Sequence, residues 1–176
     1  MRRHKVVRLF VDFEKEENWL NEMSAKGLHF ISYAFPQYVF EEGTPGEYTY
    51  RIELLSKPPS NIEGKAYIDF VEESGAECVD TYHFWAYFRR KTVDGPFDLY
   101  TDNSSRIRHY QRVMFLMGAV AAFQLALGVW LLLVGGLGTH SLCAVPAFAF
   151  VLFFARLVLL YRTKVGRLRK EMRLRE

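Results

Sequence analysis

The chain has 176 residues, half of them hydrophobic, 24% charged and 16% aromatic, with a formal net charge of +3. That length holds one ordinary domain, or a small domain plus another element. The aromatic content excludes a disordered chain, and two distant cysteines, Cys78 and Cys143, exclude a disulfide scaffold.

Lys5–Val11 predicts a strand. Glu14–Lys26 predicts a helix with Trp19, Leu20 and Met23 on its inner face and Glu16, Glu17 and Glu22 outside, ended by Gly27. The aromatic and β-branched run Leu28–Glu41 predicts a long strand, Glu42–Gly46 a turn, and Glu47–Ser56 a further strand. After Lys57-Pro58-Pro59, the capping box Ser60-Asn61-Ile62-Glu63 opens a helix that runs to about Ser74, with Tyr67, Phe70 and Val71 inward. Gly75 stops it. Glu77–Lys91 predicts a second long strand, and Asp94-Gly95-Pro96 turns the chain into a short last strand, Phe97–Thr101. The order β-α-β-β-α-β with an extra strand predicts an α+β, ferredoxin-like domain over residues 1–105. Superposing Gly27 on Gly75 lays residues 28–31 and 38–40 over 76–79 and 86–88, the mark of an internal repeat.

Residues 1–105 carry 12 Lys and Arg against 18 Asp and Glu; residues 106–176 carry 11 against 2. A basic linker, 106–112, leads into the uncharged run 113–137, whose 25 residues reach about 37 Å as a helix, enough to cross a bilayer core of about 30 Å. A short external turn, 138–140, precedes a second span, 141–161, and a basic tail, 162–176. Arg106, Arg108 and Arg112 before the first span and seven Lys or Arg after the second predict that both termini are cytoplasmic. No cleavable signal pattern opens the chain, so the large N-terminal part is expected in the cytoplasm, with Cys78 a plain thiol. Arg112, Arg156, Arg162 and Lys164 are candidate membrane-interface residues. The spans also hold Gln124, a weak cross-helix donor; Pro146, read as lying in early turns; and Gly118 and Ala122 at small-xxx-small spacing.

In a ferredoxin-like domain the helices cover one face of the sheet. The run Tyr82–Phe88 is apolar or aromatic on both faces, so an aromatic face is expected to lie open. His83, Trp85 and Tyr87, with Tyr33 and Phe35 from the earlier strand, are the candidate partner-binding residues. No phosphate-binding glycine motif, nucleophile elbow or metal-ligand spacing occurs, so no catalytic residue, cofactor or metal is expected. Glu16/Glu17 and Glu72/Glu73 read as solvated pairs. The acidic balance of the first half argues against direct nucleic-acid binding.

Four stretches together carry a resemblance: Phe13–Leu28 with its E-x-x-W-L-N-x-M-x-x-K-G run, Tyr48-Thr49-Tyr50-Arg51-Ile52, Trp85–Arg90 and Leu99-Tyr100-Thr101-Asp102. The chain resembles the bacterial family called domain of unknown function 2812 over about residues 8–105. The resemblance implies a multi-pass protein of the bacterial cell membrane, encoded beside PadR-like repressors. It assigns no catalytic residues. The expected function is a non-enzymatic, membrane-anchored cytoplasmic sensor or adaptor. Its expected partners are the lipid bilayer, a PadR-like transcriptional repressor and a second copy in a homodimer. The alternatives are a binding module for a small apolar ligand or lipid, and a membrane enzyme.

Overall fold

The computed structural model describes residues 2–100, 103–135 and 139–173, and the chain divides into two compact units at residues 101 and 102. In the first unit the elements run β1 (Arg3–Val7), α1 (Phe13–Ala25), β2 (Leu28–Ala34), β3 (Gln37–Glu42), β4 (Tyr48–Leu54), α2 (Ile62–Glu73), β5 (Glu77–Tyr82) and β6 (Trp85–Lys91), followed by a 3-10 turn at Thr92–Asp94.

Each of the two expected long strands is a hairpin. The first folds back at Phe35-Pro36, through a cis peptide, and the second at His83-Phe84, where His83 takes φ 55°. The run of β-formers was legible, but neither turn carries the Asn-Gly or Asp-Gly pair that marks a tight hairpin. Two antiparallel three-stranded sheets result, ordered β1-β3-β2 and β4-β6-β5. This order is not the ferredoxin-like βαββαβ expected from the sequence. The expected last strand is absent too: the described residues Phe97–Tyr100 form a loop that seats Phe97 in the core.

The internal repeat is a duplicated βαββ unit. β2 and β3 pair through Phe30 with Phe40, Ser32 with Val39, Tyr33 with Tyr38, and Ala34 with Gln37. β5 and β6 pair through Cys78 with Phe88, Asp80 with Tyr87, Thr81 with Ala86, and Tyr82 with Trp85. Each residue of the second set lies 48 positions beyond its counterpart in the first, and the irregularity in each ladder skips the equivalent residue, Ile31 or Val79. The halves meet where Tyr33 N–H donates to Asp80 Oδ2 at 2.6 Å and the Tyr33 and Tyr82 rings lie 5.0 Å apart.

β6 has a core on each side. Tyr87 joins Trp19, Leu20, Phe30, Tyr38, Phe40, Tyr50 and Ile52 in one cluster; its neighbours Ala86 and Phe88 join Leu55, Val71, Ala76 and Phe97 in the other. Strand alternation thus sends Tyr87 toward α1 and its neighbours toward α2. The sheet face expected to be open is covered by α1. Helix α2 is capped by Asn61, one residue later than the Ser60 expected, with Asn61 Oδ1 accepting from Glu63 N–H at 2.9 Å. It turns Val71 inward, with Tyr67 and Ile68 beside it, and leaves Phe70 on the surface. Gly64 packs so closely on the Lys57-Pro58 backbone that a Cβ would come within 2.2 Å of Pro58 O.

The second unit consists of α3 (Asn103–Gly135) and α4 (Thr139–Arg173). Asn103–Val134 and Ala144–Met172 are long and apolar enough to cross a membrane, and apolar side chains such as Phe115, Phe123, Leu133 and Leu152 face outward. The expected basic linker 106–112 is already α3, and the tail continues α4 through Arg173. Of the expected turn, Gly138 lies outside the described residues and Thr139 and His140 begin α4; Leu137 and residues 174–176 also lie outside. Pro146 sits inside α4, beyond its first turn. Gly128 of α3 packs against α4, where a Cβ would sit 3.2 Å from Phe148 and 3.4 Å from Ala147, whereas Gly118 has nothing within 4 Å of its Cβ position. The contact glycine is therefore not the one in the Gly118/Ala122 pair.

Candidate functional site

Helix α1 organises the first unit, and the E-x-x-W-L-N-x-M-x-x-K-G run explains how. Asp12 caps its start, accepting from Glu14 N–H at 3.2 Å. Trp19 and Leu20 enter the core and Met23 packs beside it. At the far end, Gly27 has φ +78°, and a Cβ there would meet Gly43 O at 2.8 Å.

The polar residues of α1 do the unexpected part. Glu17, Asn21 and Ser24 form a stripe at spacings of four and three, facing the edge of β4 that β6 leaves free. Glu17 Oε2 accepts from Ile52 N–H at 2.9 Å; Asn21 bonds both backbone groups of Tyr50; Ser24 Oγ donates to Tyr48 O at 2.6 Å. The helix thus satisfies a strand edge with side chains. Glu17 also pairs with Arg51 at 3.3 Å, yet burial pushes its carboxyl up to about 7 against the pull of Arg51 and of Ile52 N–H.

Glu16 points to a different neighbourhood. Its Oε1 accepts from Tyr38 O–H at 2.7 Å and from Tyr87 O–H at 2.8 Å, one phenol from each repeat. Burial raises its carboxyl above the usual range, the two phenol donors opposing the rise only in part. Burial, reinforced by the Glu16 charge, raises both phenols and keeps them protonated as donors. The Tyr33 ring lies 4.5 Å from Tyr38 and 6.0 Å from Tyr87. One turn before Glu16, Phe13 lies 5.9 Å from Trp85, so the Phe13/Glu16 face of α1 lies on the Trp85/Tyr87 face of β6. Tyr33, Tyr82 and Trp85 are half-buried and form the outer part of this cluster.

The five expected partner-binding residues therefore separate. Tyr87 is 3% exposed and belongs to the core, which excludes it from an open face. Tyr33 and Trp85 lean on the Glu16 cluster. Phe35 and His83 are exposed, each at the tip of a different hairpin. Sequence reasoning placed Glu16 and Glu17 in solvent. The missed signal is that Glu16 and Glu17 occupy the helix positions one turn before Trp19 and Leu20, and so lie on the inner side of α1. Of the expected membrane-interface residues, Arg156 and Arg162 are exposed on α4, Lys164 is half-buried with its Nζ 5.2 Å from the Tyr161 ring, and Arg112 is half-buried on α3.

A duplicated βαββ domain followed by two membrane-length helices is the class of protein that these features define. The family model described as Protein of unknown function (DUF2812) matches residues 12–122, and the chain belongs to that family. Neither the curated proteins nor the solved structures contain a match to it.

Proposed function

We propose that the protein is a non-enzymatic, membrane-anchored cytoplasmic sensor or adaptor of the bacterial cell membrane, with two spans and both termini inside. The observation that carries this reading is the outward apolar surface of α3 and α4, which water does not suit. The basic residues of α3 before Val113 and of α4 after Tyr161 support the orientation. The first unit reports to a PadR-like repressor, and a homodimer is compatible with this role. Of the expected partner-binding residues, Phe35 and His83 at the hairpin tips stay exposed and, with Phe84, form the partner surface, whereas Tyr33, Trp85 and Tyr87 turn inward.

Mild crosslinking in native membranes, purification of the full-length chain and mass spectrometry test the reading. A DNA-binding regulator is expected with the wild type and lost with the Phe35→Ser/Phe84→Ser double variant. Recovery of the protein alone would overturn the adaptor role. A second reading, a small-ligand-binding module at the membrane, is favoured by the half-buried aromatic side chains beside Glu16.

A further inference from the structure

Glu16 is an unusual residue to keep beneath an aromatic cluster. One oxygen holds two phenol donors, and the second, Oε2, meets no donor among the described residues. No basic side chain pairs with it among those residues: Arg51 is taken by Glu17, Arg89 by Glu77, and the Arg8 guanidinium lies 4.9 and 5.1 Å from the Phe10 and Trp19 rings. A half-buried carboxylate without a counter-cation is costly to ionise.

The surroundings fit one kind of counter-ion. Tyr38 and Tyr87 hold the carboxylate by hydrogen bonds that favour its charged form. Tyr33, Tyr82 and Trp85 supply aromatic side chains that are partly at the surface, with Tyr33 5.0 Å from Tyr82, and Tyr82 opposite Trp85 across the hairpin. Aromatic faces attract cations and weakly hydrated apolar groups together. Small hard metal ions want several oxygen ligands, and no group of three or more His, Cys, Asp or Glu that could hold a metal occurs among the described residues.

We propose that Glu16, with Tyr38 and Tyr87 behind it and Tyr33, Tyr82 and Trp85 around it, forms the binding site for a hydrophobic organic monocation. The inference deepens the ligand-binding reading: it adds the sign of the charge and the residue that reads it. The cation enters from the Tyr33, Tyr82 and Trp85 side, pairs with Oε2, and leaves the phenol bonds to Oε1 in place.

The test uses the full chain in nanodiscs and three probes of similar shape: tetraphenylphosphonium, neutral triphenylphosphine oxide and anionic tetraphenylborate. Binding is read by quenching of tryptophan fluorescence and by equilibrium dialysis, with empty nanodiscs as the background. The expected result is saturable binding of the cation, weakened about tenfold or more in Glu16→Gln. That amide still accepts from both phenols, so the fold is retained. In the wild type, cation affinity rises with pH as Glu16 loses its proton. The titratable groups around it are Tyr38 on β3, Tyr87 on β6 and Tyr33 on β2, with Asp80 and Tyr82 of β5 against Tyr33; Glu17, next to it on α1, faces β4 instead. Glu16→Gln should remove the pH dependence and Glu17→Gln should leave it. Equal binding of the cation and the neutral probe would overturn the charge assignment while keeping a ligand site. Saturable binding of none of the three would overturn both.

Discussion

Asn21 and Tyr50 bond to each other as two strands would: Asn21 Nδ2 donates to Tyr50 O at 3.1 Å, and Tyr50 N–H donates to Asn21 Oδ1 at 2.8 Å. A single side-chain amide thereby replaces a neighbouring strand at the centre of β4's free edge. The same nitrogen also donates to Glu17 O at 2.8 Å, which fixes the amide's orientation on the helix.

Asn21→Ala should therefore cost about 1–3 kcal/mol, because Tyr50 N–H loses its acceptor and Tyr50 O keeps only the Arg51 guanidinium, 3.0 Å away, as a donor. Urea unfolding of the full chain in detergent, followed by near-ultraviolet circular dichroism, measures it. Hydrogen exchange at the Tyr50 amide should accelerate in step. A change within about 0.5 kcal/mol would mean that water serves the edge as well as Asn21 does.

Glu17 sets a pH dependence of stability. Its carboxyl titrates near 4.5 in a solvated chain and near 7 in the folded one. Between those values the folded state holds the extra proton, so the contribution is full below 4.5 and is lost as pH rises through 7. Glu16 is raised too and acts in the same direction. The unfolding midpoint should fall from pH 5 to pH 8, and Glu17→Gln should flatten that slope. A midpoint that rises over this window would contradict the burial assigned to Glu17.

Cys78 should be inert. Burial, with Glu72, Asp80 and Glu77 nearby, pushes its thiol up to about 12. In a Cys143→Ser background, its reaction with an aromatic disulfide at pH 8 should be slower than that of the urea-unfolded chain on the order of 100-fold. Equal rates would show that the thiol is accessible and ionises normally.

Gly128 should govern the pairing of α3 and α4. Gly128→Leu forces a side chain into Phe148 and Ala147, whereas Gly118→Leu enters open space. Spin labels at Phe123 and Phe150, both exposed, should report a longer or broader distance for the first substitution and no change for the second. The opposite pattern would move the contact back to the Gly118/Ala122 pair.

Much of this fold was legible in the sequence because periodicity records burial. Trp19 and Leu20 marked the inner face of α1, two glycines marked the helix ends, and their superposition gave the 48-residue register of the repeat. What stayed hidden depends on chain reversal and on polar partners distant in sequence. A run such as Leu28–Glu41 reads the same straight or folded, and only Pro36 interrupts it. Glu16 and Glu17 look like surface acids until Tyr38, Tyr87 and Ile52 arrive from three other strands. The aromatic side chains of β6 were recognised, but their direction depended on α1 covering the face judged open.

The helix that closes β4 is made before it. As the chain leaves the ribosome, the first βαββ unit is finished at Glu42, while the strand its polar stripe must hold, Tyr48–Leu54, is still to be synthesised, and Tyr87 comes later still. The earlier half is thus born with a docking stripe and no dock. The later half, released alone, would carry a bare strand edge open to any passing strand. Duplication here did not yield two independent modules. It made two halves that each complete the other, so a cut in the loop between Glu42 and Tyr48 would leave two pieces that must find one another before either is safe from aggregation.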